Sequence, residues 1–321
     1  MSTASPPPPT PTPAVDSPPV VPKPTTNLRI AHLNMSSAPC LGVGNHSSVH
    51  RAALRLPIPL SARSPTGEVT VAAKTGFSNE EARRLLHNEG KMYDAFPKHL
   101  QEDWCGLNLV APITHPVPVG AVVPKFYGYY VPVREDVERE KQEAVRAEKK
   151  AQNDPGHKAW ERLSPILLLQ ECGSPITPGN FSADERSECY SLALRLHHAE
   201  FTQNSFYTRN ILKQAGPLTA APSKRSMSTP SFRIIDFGRG EFWPHKLQAV
   251  KEKNAERRRR RTKYTMAVPT EEEMKLRVSD EADEDTEDKE ALEECGKAWW
   301  ELRDYEVRKA HSELQIRDFM Y

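Results

Sequence analysis

One acidic residue in the C-terminal half ends an apolar run, and its surroundings suggest a metal site. Phe232, Ile234 and Ile235 predict a buried strand, and Asp236 follows them directly. A carboxylate at the end of a buried strand is poorly solvated, so it requires a cation or a hydrogen-bond donor. Mg²⁺ would satisfy it, because this ion prefers hard oxygen ligands. An ordinary turn acid is the alternative, since the tripeptide Asp-Phe-Gly also occurs by chance.

Two upstream features could contribute to the same site. Asn210 can offer its side-chain carbonyl oxygen to the same metal ion. Gly42 and Gly44 lie in a predicted tight loop between two strands within residues 28–60. Without a Cβ, their backbone could approach phosphate groups closely. A hairpin turn that binds no ligand explains the two glycines equally well.

The order and spacing of these segments resemble the nucleotide-binding set of the protein-kinase-like superfamily. The loop Gly42–Gly44 is similar to the glycine-rich loop of that family, although Ser47 stands where the third glycine would be. The run Val71–Lys74 resembles the family's lysine-bearing strand, and Asp236–Gly238 resembles its metal-binding tripeptide. The similarity covers about residues 27–243 and extends to uncharacterised fungal kinase-like proteins with a degenerate catalytic loop.

The resemblance implies ATP and Mg²⁺ as cofactors and assigns a role to several residues. Lys74 would hold the α- and β-phosphates and pair with Glu89 on the following helix. A solvated helix glutamate is the alternative for Glu89. Val49 would cover the adenine. Asn210 and Asp236 would bind the metal ion.

The segment Pro165–Gly173 resembles the hinge that joins the two lobes in the family. Leu169 takes the gatekeeper position by this resemblance. The carbonyl of Gln170 and the amide of Cys172 would then meet the edge of the adenine. Backbone groups make these contacts, so the side chains themselves carry little information.

The predicted catalytic loop, residues 201–212, departs from the family pattern. Asn210 keeps its place, but Gln203 replaces the histidine and Ser205 replaces the aspartate. The aspartate normally accepts the proton of the substrate hydroxyl, which a serine cannot do near pH 7. General-base catalysis is usually worth about 10²–10⁴-fold, whereas phosphoryl transfer depends mainly on positioning and charge. We therefore expect a slow or atypical phosphotransferase, or a pseudokinase that acts as a nucleotide-binding or scaffold module. The acceptor is an unidentified protein or small molecule.

The expected fold class is α+β and two-lobed. Residues 27–170 would form a small antiparallel β lobe with one helix, and residues 171–321 a mainly helical lobe. The helix of the small lobe is predicted over Ser78–Ala95, with its first residue as the N-cap. A charged insertion is expected at about 134–161, because that segment is dense in Glu, Lys and Arg. Residues 1–26 are rich in Pro, Ser and Thr and predict a disordered tail.

The second half predicts three further helices. The first spans Ala183–Glu200, and its closing histidine pair is interpreted as capping of the helix dipole. The second, from Leu247 to Lys263, contains five consecutive arginines. These could form a nuclear-import or anion-binding patch or simply a solvated face, and the acidic segment Ser279–Glu294 could lie against them. The last helix is predicted over Ala291–Phe319 with an apolar face.

Composition sets broad limits on the function. The 321 residues include 44 basic and 43 acidic side chains, so there is no overall attraction to nucleic acid or to a membrane. No apolar run approaches the ~20 residues of a membrane helix. The five cysteines show no metal-ligand spacing. With no visible secretory signal, these features predict a soluble intracellular protein, cytoplasmic or nuclear.

Overall fold

The computed structural model describes residues 30–36, 38–58, 66–104, 106–109, 117–133, 164–263 and 271–316. In chain order the described strands are β1 (His32–Asn34), β2 (Cys40–Val43), β3 (Ser47–Arg55), β4 (Glu68–Gly76), β5 (Gly106–Asn108), β6 (Val117–Val119), β7 (Phe126–Tyr130), β8 (Ile166–Leu169), β9 (Ser174–Pro175), β10 (Phe201–Thr202), β11 (Ile211–Gly216), β12 (Ser226–Ile234) and β13 (Glu241–Phe242). The described α-helices are α1 (Glu80–Ala95), α2 (Ala183–His198), α3 (Trp243–Lys263) and α4 (Glu271–Glu313). The predicted disordered tail and charged insertion lie outside the described residues.

The fold is mixed α/β with antiparallel sheets. A six-stranded sheet runs in the order β1-β3-β4-β8-β7, with β2 paired to β3. Three smaller sheets pair β5 with β6, β10 with β13, and β11 with both β9 and β12. The predicted strands around Lys74, Leu169 and Ile234 are thus confirmed.

The register of the large sheet fixes the direction of the lysine. Val49 and Leu167 are the neighbours of Lys74 on the two adjacent strands. Side chains alternate along β4, and Val71 and Ala73 are fully buried on one face. Lys74 therefore points to the opposite face, the side on which α1 lies.

Helix α1 begins one residue later than the sequence suggested. Its N-cap is Asn79, whose side chain accepts a hydrogen bond from the amide of Ala82, so the prediction of Ser78 as N-cap was wrong. Asn and Ser are equally good N-caps, and propensity alone does not separate them. Further along, a Cβ on Gly90 would lie 2.9 Å from the ring of Tyr129, so glycine permits the close contact between α1 and β7.

Helices α2 and α4 pack against each other. A capping box between Ser182 and Glu185 fixes the start of α2. It ends at His198, two residues before the predicted end, and Glu200 then adopts a positive φ of 65° that turns the chain into β10.

Helix α4 is much longer than predicted, because its helical backbone begins at Glu271 rather than at Ala291. It ends at Glu313, before the predicted end, and Gln315 beyond it has a left-handed φ of 53°. The acidic segment does lie against the arginine run. Arg257 and Arg258 both contact Asp288 at 2.5 Å, so α4 neutralises part of the positive charge of α3.

One hydrophobic core joins the large sheet to the helices. Its buried members come from separate segments and include Tyr93 of α1, Leu167 of β8, Leu196 of α2, Phe237 and Leu314. The aromatic rings are in direct contact: Phe237 packs edge-on against Tyr93, with centroids 5.7 Å apart. Among the described helices, none has an apolar stretch long enough to cross a membrane.

Candidate functional site

Three charged side chains from distant segments meet beside the large sheet. The Nζ of Lys74 on β4 lies 2.6 Å from Oε2 of Glu89 on α1 and 3.0 Å from Oδ1 of Asp236, which follows β12. Lys74 and Glu89 are shielded from solvent, whereas the Asp236 side chain keeps 43% of its exposure. The lysine therefore bridges a buried carboxylate and one that faces an open cleft.

Their pKa shifts follow from burial and from the three charges. Burial alone would lower the pKa of Lys74, but the adjacent carboxylates of Glu89 and Asp236 outweigh it and raise this pKa above its ordinary value. Burial would raise the pKa of Asp236, yet Lys74 outweighs that effect and holds it below its ordinary value, with smaller contributions from Arg209 and Arg239. Lys74 and Asp236 are therefore both charged at neutral pH.

The side chain of Asn210 lies against the same carboxylate. Its Nδ2 is 3.4 Å from Oδ2 of Asp236 and donates to the carbonyl of Ser205 at 2.8 Å. These contacts use the nitrogen of the amide, so its oxygen is left to act as a ligand. One carboxylate and one amide oxygen suit Mg²⁺, which usually takes few protein ligands and completes its shell with phosphates and water.

Asn210 and Asp236 supply too few ligands to hold a metal ion by themselves. Among the described residues, no group of three or more His, Cys, Asp or Glu side chains is arranged around a metal position. The donor set therefore fits an ion that arrives together with phosphate groups.

Asp236 is held in an unusual backbone conformation. Its φ is 67°, in the left-handed region that a non-glycine residue rarely adopts. Gln203 supports this conformation, because its Nε2 donates to the carbonyls of Ile235 at 2.8 Å and of Asp236 at 3.2 Å. The side chain of Gln203 thus ties the loop of Ser205 to the acidic residue.

A cleft of about 610 Å³ lies along these residues. Every site residue expected from the sequence lines it: Gly42, Gly44, Val49, Lys74, Glu89, Leu169, Gln170, Cys172, Ser205, Asn210 and Asp236. The two glycines form the β2–β3 hairpin at its edge, where a Cβ on Gly42 would meet nothing within 4 Å. The backbone of the hairpin at Gly42 therefore borders open space.

The end of the cleft away from the charged residues is more apolar. Leu169 and Cys172 are buried there, and burial raises the pKa of the Cys172 thiol to about 12, so it is an inert neutral group. Glu171 lies between the predicted adenine contacts, but Arg51 of β3 binds its carboxylate with two nitrogens. The backbone of this segment is therefore anchored to the sheet.

The loop that carries Ser205 rests on a residue that the sequence analysis missed. Glu306 of α4 is buried, and its Oε1 accepts hydrogen bonds from the backbone amides of Gln203 and Asn204 at 2.9 and 2.8 Å. Its other oxygen, Oε2, lies 2.6 Å from Nε2 of His197. His197, in the last turn of α2, is thus a buried partner of Glu306, a contact that the sequence did not predict.

Two arginines at the site were also missed. Arg209 and Arg239 are exposed and line the cleft, on the same side as Ser205 and Asp236. Their positions in the sequence, next to Asn210 and directly after the Asp-Phe-Gly tripeptide, were the available signal.

Comparison with protein-family models finds no match, and no curated protein matches the sequence.

Proposed function

We propose that the chain is an ATP- and Mg²⁺-binding phosphotransferase with the two-lobed protein-kinase-like fold. In this proposal the large sheet and α1 form the small lobe, the region from α2 onward forms the helical lobe, and ATP binds between them. The observation that supports it best is the contact of Lys74 with both Glu89 and Asp236, the second of which is 162 residues away in sequence. A cleft of about 610 Å³ is also within the range of small-molecule sites.

Each charged residue has a distinct task in this proposal. Lys74, oriented by Glu89, holds the phosphates, and Asn210 with Asp236 holds the metal ion. When bound at these two residues, Mg²⁺ would supply positive charge that offsets the charge of the phosphates. The apolar end of the cleft, near Leu169, receives the adenine.

Transfer is expected to be slow, because Ser205 stands where a carboxylate base is expected. Its Oγ contacts only Nδ2 of Asn210, at 3.4 Å, among the contacts of the described residues. Loss of the base alone costs about 10²–10⁴-fold, and the positioning and electrostatic contributions remain.

A pseudokinase is the second candidate, and the neutral Ser205 favours it. A protein of this kind would bind nucleotide to set its shape and would present a surface to partners. The same site residues serve both candidates, so only turnover separates them.

An intracellular location, cytoplasmic or nuclear, is part of the proposal. The described cysteines Cys40, Cys172, Cys189 and Cys295 are all free thiols. Free thiols are typical of reducing compartments.

Calorimetric titration of the full chain with ATP and Mg²⁺ tests the proposal. We expect Lys74→Met and Asp236→Asn to weaken binding by about 100-fold or more, equivalent to about 2.8 kcal/mol. Asp94→Asn is the matched control, because Asp94 is exposed on α1 and should have no effect. Unchanged affinity in both site variants, or no binding by the native protein, would reject the proposal.

Single-turnover measurements with γ-labelled ATP then separate the two candidates. Label that leaves ATP at a rate abolished by Asp236→Asn indicates a phosphotransferase. Tight binding without any release of label indicates a pseudokinase.

A further inference from the structure

Two guanidinium groups make the Ser205 end of the cleft positively charged. Arg209 and Arg239 are exposed there, and neither forms an ion pair with a carboxylate among the described residues. The Arg209 guanidinium stacks on the ring of Tyr207 at 4.0 Å, which holds it in place. The backbone carbonyl of Arg239 accepts a hydrogen bond from Nδ2 of Asn204 at 2.9 Å, which fixes its segment beside the loop.

A second, smaller recess of about 70 Å³ meets the main cleft at Ser205. Ser205 lines both cavities. Tyr207 and Lys309 are among the residues that line the recess but not the main cleft. The ammonium group of Lys309 lies 4.6 Å from the centre of the Tyr207 ring. Lys309 is paired with Glu313 at 2.8 Å and the recess is also lined by Glu306, so the exposed cationic groups beside Ser205 are the two arginines of the main cleft.

The carboxylates around the loop are already engaged, including Glu313, which pairs with Lys309 and accepts a hydrogen bond from the amide of Thr208. Asp236 contacts Lys74 and Asn210, and Glu306 lies behind the loop, where it binds two backbone amides and His197. Neither has a hydrogen bond to Oγ of Ser205. A hydroxyl acceptor at this position would therefore have no carboxylate to take its proton.

We propose that the phosphoryl acceptor is an oxyanion, a phosphate or carboxylate group held by Arg209 and Arg239. This inference rests on the proposed function. An oxyanion is already deprotonated, so its attack requires no base, and a guanidinium binds such groups with two parallel hydrogen bonds. The positive charge also offsets the repulsion between the acceptor and the nucleotide phosphates.

The chemical step balances without a proton acceptor. An acceptor oxygen attacks the γ-phosphorus of the nucleoside triphosphate and forms a new P–O bond. The bond from that phosphorus to the bridging oxygen breaks, and its electron pair leaves with the nucleoside diphosphate. The product is a phosphoanhydride from a phosphate acceptor or an acyl phosphate from a carboxylate acceptor.

Anion binding to the nucleotide-loaded protein tests the inference. The full chain is saturated with Mg²⁺ and the non-hydrolysable imido analogue of ATP, which fills the γ-phosphate position. It is then titrated in a calorimeter with inorganic phosphate and, separately, with acetate, at constant ionic strength. Binding of phosphate alone, of acetate alone or of both supports the proposal and identifies the class of oxyanion.

Variants then locate the anion. Arg209→Gln and Arg239→Gln should each weaken anion binding by about tenfold or more and change analogue affinity by less than about threefold. Arg260→Gln removes the same charge from an exposed ion pair with Glu256 and should change neither affinity. If the arginine variants weaken the analogue instead of the anion, the arginines serve the nucleotide and the inference is wrong.

These titrations distinguish failure of the proposed function from failure of the inference. If the analogue does not bind, the proposed function fails and the inference with it. If the analogue binds but neither anion does, only the inference fails.

Ser205→Asp gives a second test through the sign of its effect. A new carboxylate should repel an anionic acceptor and weaken phosphate binding by about tenfold, whereas Ser205→Asn, of similar size without the charge, should retain it. A hydroxyl acceptor predicts the reverse. An increase of about tenfold in label transfer to a serine-containing peptide in Ser205→Asp would overturn the inference.

Discussion

The two ends of the polar part of the cleft differ in how their charged side chains are arranged. At one end, Lys74 contacts both Glu89 and Asp236 directly, and opposite charges compensate within 3.0 Å. At the other end, the loop around Ser205 carries no acid of its own, and Arg209 and Arg239 are exposed, although both attract the carboxylate of Asp236. The first arrangement suits the binding of phosphate and a metal ion, and the second suits an anionic partner. Under the proposed function, nucleotide binding and rapid transfer should therefore be separable by mutation.

The support of the two ends differs as well. Lys74 and Glu89 lie on β4 and α1, which are held by the large sheet and the core, and Asp236 follows β12 of the three-stranded sheet. The Ser205 loop depends on hydrogen bonds from Glu306 on a distant helix. Changes in α4 should therefore disturb the loop and leave the affinity for nucleotide unchanged.

The largest expected effect comes from removing Glu306. Glu306→Ala leaves the buried amide of Gln203, the amide of Asn204 and the ring of His197 without their partner. We expect a loss of about 4 kcal/mol of unfolding free energy, since each unsatisfied buried group costs about 1–3 kcal/mol. Urea denaturation followed by fluorescence measures it, with the exposed Glu301→Ala on the same helix as control.

A milder variant separates stability from binding. Glu306→Gln keeps one oxygen for both amides and should remain folded, with ATP affinity within about threefold of the native value. A large fall in ATP affinity in this folded variant would show that the two ends are not independent.

The second prediction concerns the residue that connects the two ends. Gln203→Ala removes the donor to the carbonyls of Ile235 and Asp236, so the left-handed conformation of Asp236 loses its support. We expect a loss of about 2 kcal/mol, together with a fall in affinity for ATP and Mg²⁺ of about tenfold. Calorimetric titration and urea denaturation measure the two effects. Gln248→Ala, on the exposed face of α3, is the control. An equal effect of this control would contradict the specific role of Gln203 in connecting the two ends.

The charged end of the cleft could be predicted from sequence, because residue type and order carry the information. An acid after a buried strand, a lysine at the end of another strand and a glutamate in the next helix are local patterns. The structure places them in contact as expected. The exact helix start was not predictable, because Ser78 and Asn79 are equally good caps and only the chain path selects Asn79.

The support of the Ser205 loop could not be predicted in this way. Glu306 is separated from Gln203 by 103 residues, and nothing in its local sequence distinguishes it from the other acids of a highly charged helix. Its burial depends on how α4 packs on α2, which is a long-range result. The contact of His197 with Glu306 could not be predicted for the same reason, because the partner lies on that helix.

The smallest expected effect concerns pH: the affinity for nucleotide at the charged end should hardly change across the alkaline range. The raised pKa of Lys74 keeps it cationic through the alkaline range, and its stabilising contribution is lost only as the pH rises through that raised value. The lowered pKa of Asp236 keeps its contribution until the pH falls through that lowered value. The affinity for ADP with Mg²⁺ should therefore change less than about twofold between about pH 7 and about pH 9.5.

The matched variant makes this result informative. Glu89→Gln removes one of the two carboxylates that oppose the effect of burial on Lys74, so the pKa of the lysine should fall. Calorimetric titrations should then show affinity declining toward pH 9.5 in the variant alone. A decline of about tenfold in the affinity of the native protein would mean that burial lowers the pKa of Lys74 more than the two carboxylates raise it. The charges of this end would then not compensate one another as the geometry suggests.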